Sequence, residues 1–241
     1  MSLLRFFYDR PLAEGPCVLS VEESRHAASV YRLRVGDEIT LIDGRGGVGN
    51  GVVTAAPATG LVCDVRQVVR LAPPPVCELW CAFPRAGGAD DVVRRAIEVG
   101  ATVIRPVLAA RGVWRPSESG DSKTHDRWNK IAIAAIKQCG AAFLPRWEPV
   151  VAVSALPPRA GALALFGSTQ TGLDHAAEVV ARHGVAEIAI ALIGPEGGWT
   201  PDEESTLLAW GAHPVSLGRN VLRVETAATV LTAILASRPS P

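Results

Sequence analysis

Lysine is nearly missing from this chain of 241 residues: of its 24 basic residues only Lys123, Lys130 and Lys137 are lysine, and the rest are arginine. Net charge is missing as well. The 24 basic and 24 acidic residues balance to zero, so global electrostatics do not mark a nucleic-acid binder. No apolar run reaches the ~18 residues of a membrane span, and nothing resembles a charged n-region, an apolar h-region and a cleavage site. The sequence reads as soluble and cytoplasmic, with no membrane partner. Internal repeats and low-complexity segments are also lacking. The five cysteines, Cys17, Cys63, Cys77, Cys81 and Cys139, are odd in number and scattered. Cys77 and Cys81 have the spacing of one strand face, and no histidine lies near them. They read as buried structural thiols, and no metal site is expected, because zinc wants tighter ligand clusters.

What is present is apolar: 48% of the residues, enough chain and enough hydrophobicity for one large domain or two modest ones. Residues 1–72 alternate short β-like runs with glycine turns ("LLRFFY", "CVLS", "DEITLIDG", "NGVVTAA", "GLVCDVRQVVRL"). One short helix interrupts them, opened by Ser20 with Glu23 three residues on, the pattern of a capping box. Closely spaced strands of this kind predict a small β-barrel. "LAPPPV" then forms a stiff linker, and residues 73–241 alternate strands with helices. "CELWCAF", "TVIRPVLA", "GALALFG", "AEIAIALI" and "HPVSL" read as strands. Among the helices, "ADDVVRRAIEVG" places Val92, Val93, Ala96 and Ile97 on one face with Gly100 as its C-terminal stop. The second region is therefore an α/β domain on a mostly parallel sheet.

Local charge departs from the global balance between residues 105 and 146. Arg105, Arg111, Arg115, Lys123, Arg127, Lys130, Lys137 and Arg146 stand there against Glu118, Asp121 and Asp126. Arginine suits phosphate and base contacts, although a compositional bias toward arginine explains the excess equally well.

"GRGGVG", Gly44 to Gly49, matches the G-x-G-x-x-G dinucleotide fingerprint to the letter. That fingerprint works only where a helix starts inside it. Here "NGVVTAA" follows, so a hairpin is expected and nucleotide binding at this spot is rejected.

A second glycine-rich stretch is more informative. In "ALIGPEGGWTPDEE" an apolar run ends at Ile193, the turn Gly194–Pro195–Glu196–Gly197–Gly198 follows, and a helix begins at once. Thr200, Pro201 and Glu203 form a strong helix start, so the helix satisfies its own free N–H groups. Asp202, Glu203 and Glu204 already occupy the favourable end of its dipole. A phosphate would meet acids and no lysine. The glycines still permit close approach of backbone to something flat and neutral, such as an adenine ring. "SLGRNVLRVETAA" (216–228) repeats the placement: strand to Leu217, turn at Gly218, helix from Val224, with Arg223, Glu225 and Thr226 at its entry. "FGSTQTG" (166–172) is a third strand-to-helix turn. In a parallel sheet ligands gather outside the carboxyl ends of the strands, so the three loops together are expected to enclose a small ligand.

"LIGPEGGWTPDEE" with "SLGRNVLRVETAA" closely resembles the closing motifs of the RsmE family. "RHAASVYRLRVGDEITLIDGRG" resembles that family's N-terminal PUA-like segment. "PRAGGADDVVRRAIEVGATVIRPVLAARGV" and "RWNKIAIAAIKQCG" resemble its middle motifs, so the likeness spans nearly the whole chain. The resemblance implies a SPOUT-class RNA methyltransferase: a PUA-like RNA-binding barrel (1–72) before an α/β SPOUT domain (73–241) with a parallel sheet and a deep trefoil knot. It implies a homodimer, S-adenosylmethionine as methyl donor, and N3 of a specific uridine in 16S rRNA of the small ribosomal subunit as target. A donor without phosphates suits an acid-rich loop without lysine. The family's cofactor positions fall here on Ile193, Gly194, Pro195, Gly197, Leu217, Gly218, Leu222 and Thr226, with the methionine arm near Phe166 and Gly167.

Methyl transfer from a sulfonium needs alignment and a competent nucleophile rather than a metal. Uridine N3 must lose its proton, so charge develops on the neighbouring oxygens; Arg223 is expected to stabilise it. Glu196 or Glu225 would accept the proton or orient the loop. RNA would be held through phosphate contacts by Arg25, His26, Arg32 and Arg34 on the barrel, with Arg85, Arg111 and Gln138. The chain departs from the family pattern at Ala110, Gly112, Ala141 and Asn220, positions that concern RNA more than cofactor. Two other readings follow from those departures: a SPOUT enzyme acting on another RNA such as tRNA, and an RNA-binding protein whose methyltransferase domain is inactive. A dehydrogenase or nucleotide enzyme fits the loop chemistry poorly.

Overall fold

A computed structural model describes residues 4–57, 60–116 and 122–239. Leu3 of the first expected strand and the acids Glu118 and Asp121 lie outside the described residues. The chain divides into two compact units, Met1–Pro73 with Ile133–Leu144, and Pro74–Ala132 with Pro145–Pro241.

The first unit contains β1 (Arg5–Phe7), β2 (Gly15–Val18), α1 (Val21–His26), β3 (Glu38–Ile42), β4 (Gly47–Ala55) and β5 (Val62–Arg70). Its five strands pair in the order β1-β3-β4-β5-β2, antiparallel except for β1 on β3. Inward residues alternate along β4 and β5 and close over Phe6, Leu12, Leu41 and Val53. "GRGGVG" is part of a hairpin, as expected: Gly44 and Gly46 take positive φ in the turn, and β4 starts at Gly47. The organiser of that turn is Asp43, whose buried carboxylate accepts from the backbone N–H groups of Leu12, Arg45 and Gly47 and from Arg70.

The expected capping box of α1 is half made. Ser20 Oγ accepts from Glu23 N at 3.2 Å. The Glu23 carboxylate does not return the bond; it accepts from Phe7 N at 3.2 Å and pairs with Lys137. A cation 114 residues away in sequence outcompetes the local cap. Arg5 also reaches this segment, donating to the carbonyls of Lys137 and Gln138.

The second unit holds β6 (Val76–Cys81), α2 (Ala86–Glu98), β7 (Val103–Leu108), most of α3 (Ser122–Cys139), β8 (Arg146–Trp147), β9 (Val151–Ala152), β10 (Leu163–Gly167), α4 (Ala176–His183), β11 (Ile188–Ile193), α5 (Pro201–Trp210), β12 (His213–Val215) and α6 (Val224–Ala236). The sheet order is β12-β10-β11-β6-β7-β8, with β9 also on β7. Every described pairing in it is parallel. Helical crossovers cover both faces of such a sheet, which is why β11 and β10 read as near-continuous apolar runs. Val92, Val93, Ala96 and Ile97 are buried as the spacing predicts, and Gly100 takes a left-handed conformation just past the end of α2. Trp80, Phe166, Ile190, Leu192, Trp199 and Leu207 belong to one core cluster. α6 packs on β6 and β11 and against α2. Cys77 and Cys81 are buried free thiols on β6, and burial pushes the Cys77 thiol up to about 11. Among the described residues no helix is long and apolar enough to cross a membrane.

Candidate active site

β12, β10 and β11 are parallel neighbours, so their carboxyl ends open onto one edge of the sheet. The loops leaving them, residues 168–173, 194–200 and 216–223, surround a cleft of about 1200 Å³. Ser168 N donates to Val215 O at 3.1 Å, continuing the β10–β12 ladder into the first of these loops. Ser216, just past β12, is bridged by backbone bonds to Asp174 and Ala176. Glu204 on α5 accepts from Ser168 Oγ at 3.1 Å and from the Gln170 side-chain amide. The first loop is thereby tied by hydrogen bonds to the end of β12 and to α5 rather than left as a separate turn.

The 194–200 loop is built on small residues for a steric reason. An added Cβ at Gly194 would lie 2.9 Å from the buried ring of Trp199, and one at Gly197 would meet the Arg111 side chain at 3.2 Å. Gly198 N bonds Pro195 O at 2.8 Å in a tight turn, and Gly198 takes φ 69°. Thr200 then caps α5. Its hydroxyl accepts from Glu203 N, and Glu203 Oε2 accepts from Thr200 N at 2.8 Å, a complete capping box with Pro201 in the first turn. Helix α5 thus satisfies its own N-terminus, as its sequence predicts.

Charge in the cleft is mixed. Asp91, Glu196, Glu204 and Glu225 line it together with Arg85, Arg111, Arg219 and Arg223, and no lysine does. The acids of the glycine loop are therefore balanced by arginines from other segments, so the cleft is not uniformly hostile to anions. Burial, reinforced by the charges of Glu196 and Glu225, pushes the Cys81 thiol well up. Arg223 is the N-cap residue of α6 and is exposed, with no side-chain capping bond. Arg85 occupies the same position on α2, again without a capping bond.

Of the expected cofactor positions, Gly167, Ile193, Gly194, Pro195, Gly197, Leu217, Gly218 and Leu222 line the cleft, as do Arg223 and Glu196. Phe166 and Thr226 do not. Strand alternation turns the Phe166 side chain into the core beside Leu192 and Trp80, so only its backbone reaches the strand end. One helical step of ~100° separates Thr226 from its cleft-lining neighbours Glu225 and Ala227. Of the expected RNA contacts, Arg85 and Arg111 line the cleft, with Arg111 donating to Gly197 O at 2.8 Å and to Trp199 O at 3.4 Å. Arg25, Arg32, Arg34 and Gln138 are exposed on the first unit, and the His26 ring packs edge-on against Tyr31 at 5.1 Å. A π-helical turn, Ala27–Tyr31, precedes Arg32, which closes it with φ 54°. Ser168, Gln170 and Trp199 also line the cleft. All three lie in stretches marked as loops, but the bonds of Ser168 and Gln170 to Glu204, 36 and 34 positions away, are not written in the local sequence.

Comparison with known proteins gives this architecture a family. Residues 72–236 match the model of an RNA methyltransferase domain, and residues 19–65 match an RNA methyltransferase PUA domain. The ribosomal RNA small subunit methyltransferase E of Mycobacterium bovis is 31% identical over 95% of this chain and 90% of its own length. That of Synechocystis sp. is 30% identical over 92% of this chain and 73% of its own. A crystal structure of the corresponding enzyme from Neisseria gonorrhoeae, bound to S-adenosyl methionine, superposes with a TM-score of 0.81. It is 28% identical, covering 97% of this chain and 96% of that one. With the methyltransferase model spanning well over half of the sequence and the sheet-edge cleft inside it, the chain belongs to the ribosomal RNA small subunit methyltransferase E family of RNA methyltransferases.

Proposed function

We propose that the protein transfers the methyl group of S-adenosylmethionine to N3 of a specific uridine in 16S rRNA of the small ribosomal subunit. The observation that carries this reading is the cleft at the ends of β10, β11 and β12. Its walls come from three glycine-bearing loops, it contains no lysine, and its α5 helix start is already capped. A triphosphate or dinucleotide site would need free N–H groups at that helix start. A phosphate-free ligand does not, and Gly194, kept without a side chain by the Trp199 ring beneath it, lines the cleft with bare backbone that a flat adenine can approach. A relative of 28% identity solved with S-adenosyl methionine supports the choice. At about 1200 Å³ the cleft exceeds the ~300–1,000 Å³ of a usual small-ligand pocket, leaving room for a nucleotide beside the cofactor.

When bound, S-adenosylmethionine supplies an electrophilic methyl on a sulfonium that departs as a neutral thioether. The chain's own residues do the rest. Backbone of Ile193, Gly194, Pro195 and Gly197 and of Leu217, Gly218 and Leu222 holds the adenosyl part, and Gly167 lies at the methionine end. Arg223, free of capping duty, places a fixed positive charge where the uracil oxygens gain negative charge as N3 loses its proton. Glu196, exposed on the cleft wall, orients the loop or takes that proton. Arg25, His26, Arg32, Arg34, Arg85 and Gln138 hold the RNA through its phosphates, and the base must be unpaired to be reached. The reading carries with it a cytoplasmic homodimer and a C-terminal segment threaded as a trefoil knot.

The test is incubation of unmodified small subunits, and of free 16S rRNA, with isotopically labelled S-adenosylmethionine, followed by mass mapping of the product. A single N3-methyluridine in 16S rRNA is the expected result. In a parallel incubation with bulk tRNA, label in tRNA alone would replace the target, and RNA binding without label in any arm would leave an inactive domain.

A further inference from the structure

We infer that Arg111 and Glu203 form a clasp that fixes the cofactor-facing loop at residues 197–200, making Arg111 a positioning residue rather than a grip on RNA. This rests on the reading of the cleft as the S-adenosylmethionine site. Arg111 leaves the sheet three residues after the end of β7 and lies across the glycine loop. Its guanidinium donates to Gly197 O at 2.8 Å and to Trp199 O at 3.4 Å, and its methylenes cover Gly197 so closely that a Cβ there would sit 3.2 Å away. One residue earlier, Ala110 N donates to Glu203 Oε1 at 2.7 Å, while the other carboxylate oxygen of Glu203 accepts from the Thr200 N–H and hydroxyl. The segment 110–111 is thus tied to the loop at two points of opposite polarity, a cation on carbonyls and an N–H on a carboxylate. Charge-assisted bonds of this kind are the stronger class.

The consequence is mechanical. Gly197 and Gly198 have little intrinsic preference for one backbone conformation, and α5 fixes only the loop's far end. With both carbonyls held by one guanidinium, the loop presents its backbone at a set height over the cleft before any ligand arrives, which lowers the ordering cost of binding. One guanidinium nitrogen of Arg111, Nη1, makes both bonds to the loop, while Arg85, likewise exposed on the same cleft, makes no side-chain capping bond. The sequence around Arg111 departs from the family pattern at Ala110 and Gly112. The clasp uses the backbone N–H of Ala110, so it is indifferent to that side chain.

The test compares wild type with Arg111→Ala, Arg111→Lys and Glu203→Gln. Glutamine keeps the capping bond to Thr200 and removes only the second acceptor facing Ala110. Calorimetry should show S-adenosylmethionine binding weakened at least about tenfold in Arg111→Ala, with Lys restoring part of the loss and Glu203→Gln falling between. Hydrogen exchange at the Gly197, Gly198 and Trp199 amides should quicken in the unliganded variants. Affinity for free 16S rRNA, and its salt dependence, should stay as in wild type. An Arg111→Ala variant with wild-type cofactor affinity and loop exchange, but weaker rRNA binding and a shallower salt slope, would overturn the clasp and return Arg111 to RNA contact. If wild type itself takes up no S-adenosylmethionine, the cofactor reading and this cofactor-positioning role fall together. Exchange alone, quickened in the variants, would then leave only a loop restraint.

Discussion

An added methyl group at Gly194 would press on the aromatic face of Trp199 at 2.9–3.0 Å, whereas at Gly197 it would meet the flexible methylenes of Arg111. Trp199 is locked in the core and cannot swing away. Gly194→Ala should therefore cost about 1–3 kcal/mol in urea melts and displace the loop enough to weaken S-adenosylmethionine binding. Gly197→Ala, with a yielding neighbour, should cost visibly less. Arg223 differs from both because it is exposed and makes no side-chain capping bond: Arg223→Ala should nearly abolish methyl transfer while cofactor affinity stays within about tenfold, ~1.4 kcal/mol. Unchanged turnover would remove it from the mechanism. In the first unit the position that matters most is Asp43. Burial of its carboxylate favours the neutral form, but the Leu12, Arg45 and Gly47 N–H groups and Arg70 outweigh that and hold its pKa below the usual carboxylate range. A depressed acid stabilises the fold fully above that usual range, ~4, and loses its contribution as pH falls through its lower native value. Wild type should thus exceed Asp43→Asn in urea stability near neutral pH, and the gap should narrow steadily below about pH 4. A gap independent of pH would mean that shape, not charge, organises the hairpin.

Elements of the second unit are joined by one side chain near the end of the described chain. Arg238, buried just past α6, donates to the carbonyls of Leu235, Ala186, Glu187 and Val76 at 2.7–3.0 Å. It thereby pins the end of α6 to the entries of β6 and β11, the central pair of the sheet. A lysine cannot reproduce this fork. Arg238→Lys and Arg238→Met should each cost roughly 3 kcal/mol, seen as a lowered thermal midpoint, with methyl transfer at low temperature retained. How legible such features are depends on their range. The capping box of α5, the apolar face of α2 and the strand-to-helix order of the second unit are written in residues within one turn of each other, and those the spacing exposes directly. The hairpin at Gly44–Gly49 was also legible, because no helix pattern follows it. Bonds that span the chain were not: Glu23 gives up half its capping box to Lys137, Glu203 takes Ala110 N from 93 positions away, and Arg111 reaches Gly197 across 86. Phe166 is a subtler case. The motif marks the strand end correctly, but strand parity decides that Gly167, and not Phe166, opens on the cleft.

Across the chain as a unit, zero net charge has a testable consequence for how RNA is met. A uniformly basic protein draws RNA from a distance; this one has no such field, so attraction must come from local arginines acting within about one Debye length, ~10 Å at 0.1 M salt. On the first unit those are Arg25, Arg32 and Arg34, all exposed, with Arg32 held out by the left-handed turn that ends the π-helical segment. If each neutralises one phosphate of single-stranded rRNA, each contributes about 0.7 to the slope of log affinity against log salt. Replacing all three by alanine should flatten that slope by about 2 and weaken binding to any RNA sequence alike, because phosphate contacts carry no base information. Cofactor affinity should not change, since the cleft residues belong to the second unit. Filter-binding titrations at several salt concentrations, paired with calorimetry for S-adenosylmethionine, measure both quantities on the same preparations. An unchanged slope in the triple variant would move the RNA grip off these three arginines, leaving Arg85 on the cleft to hold the substrate.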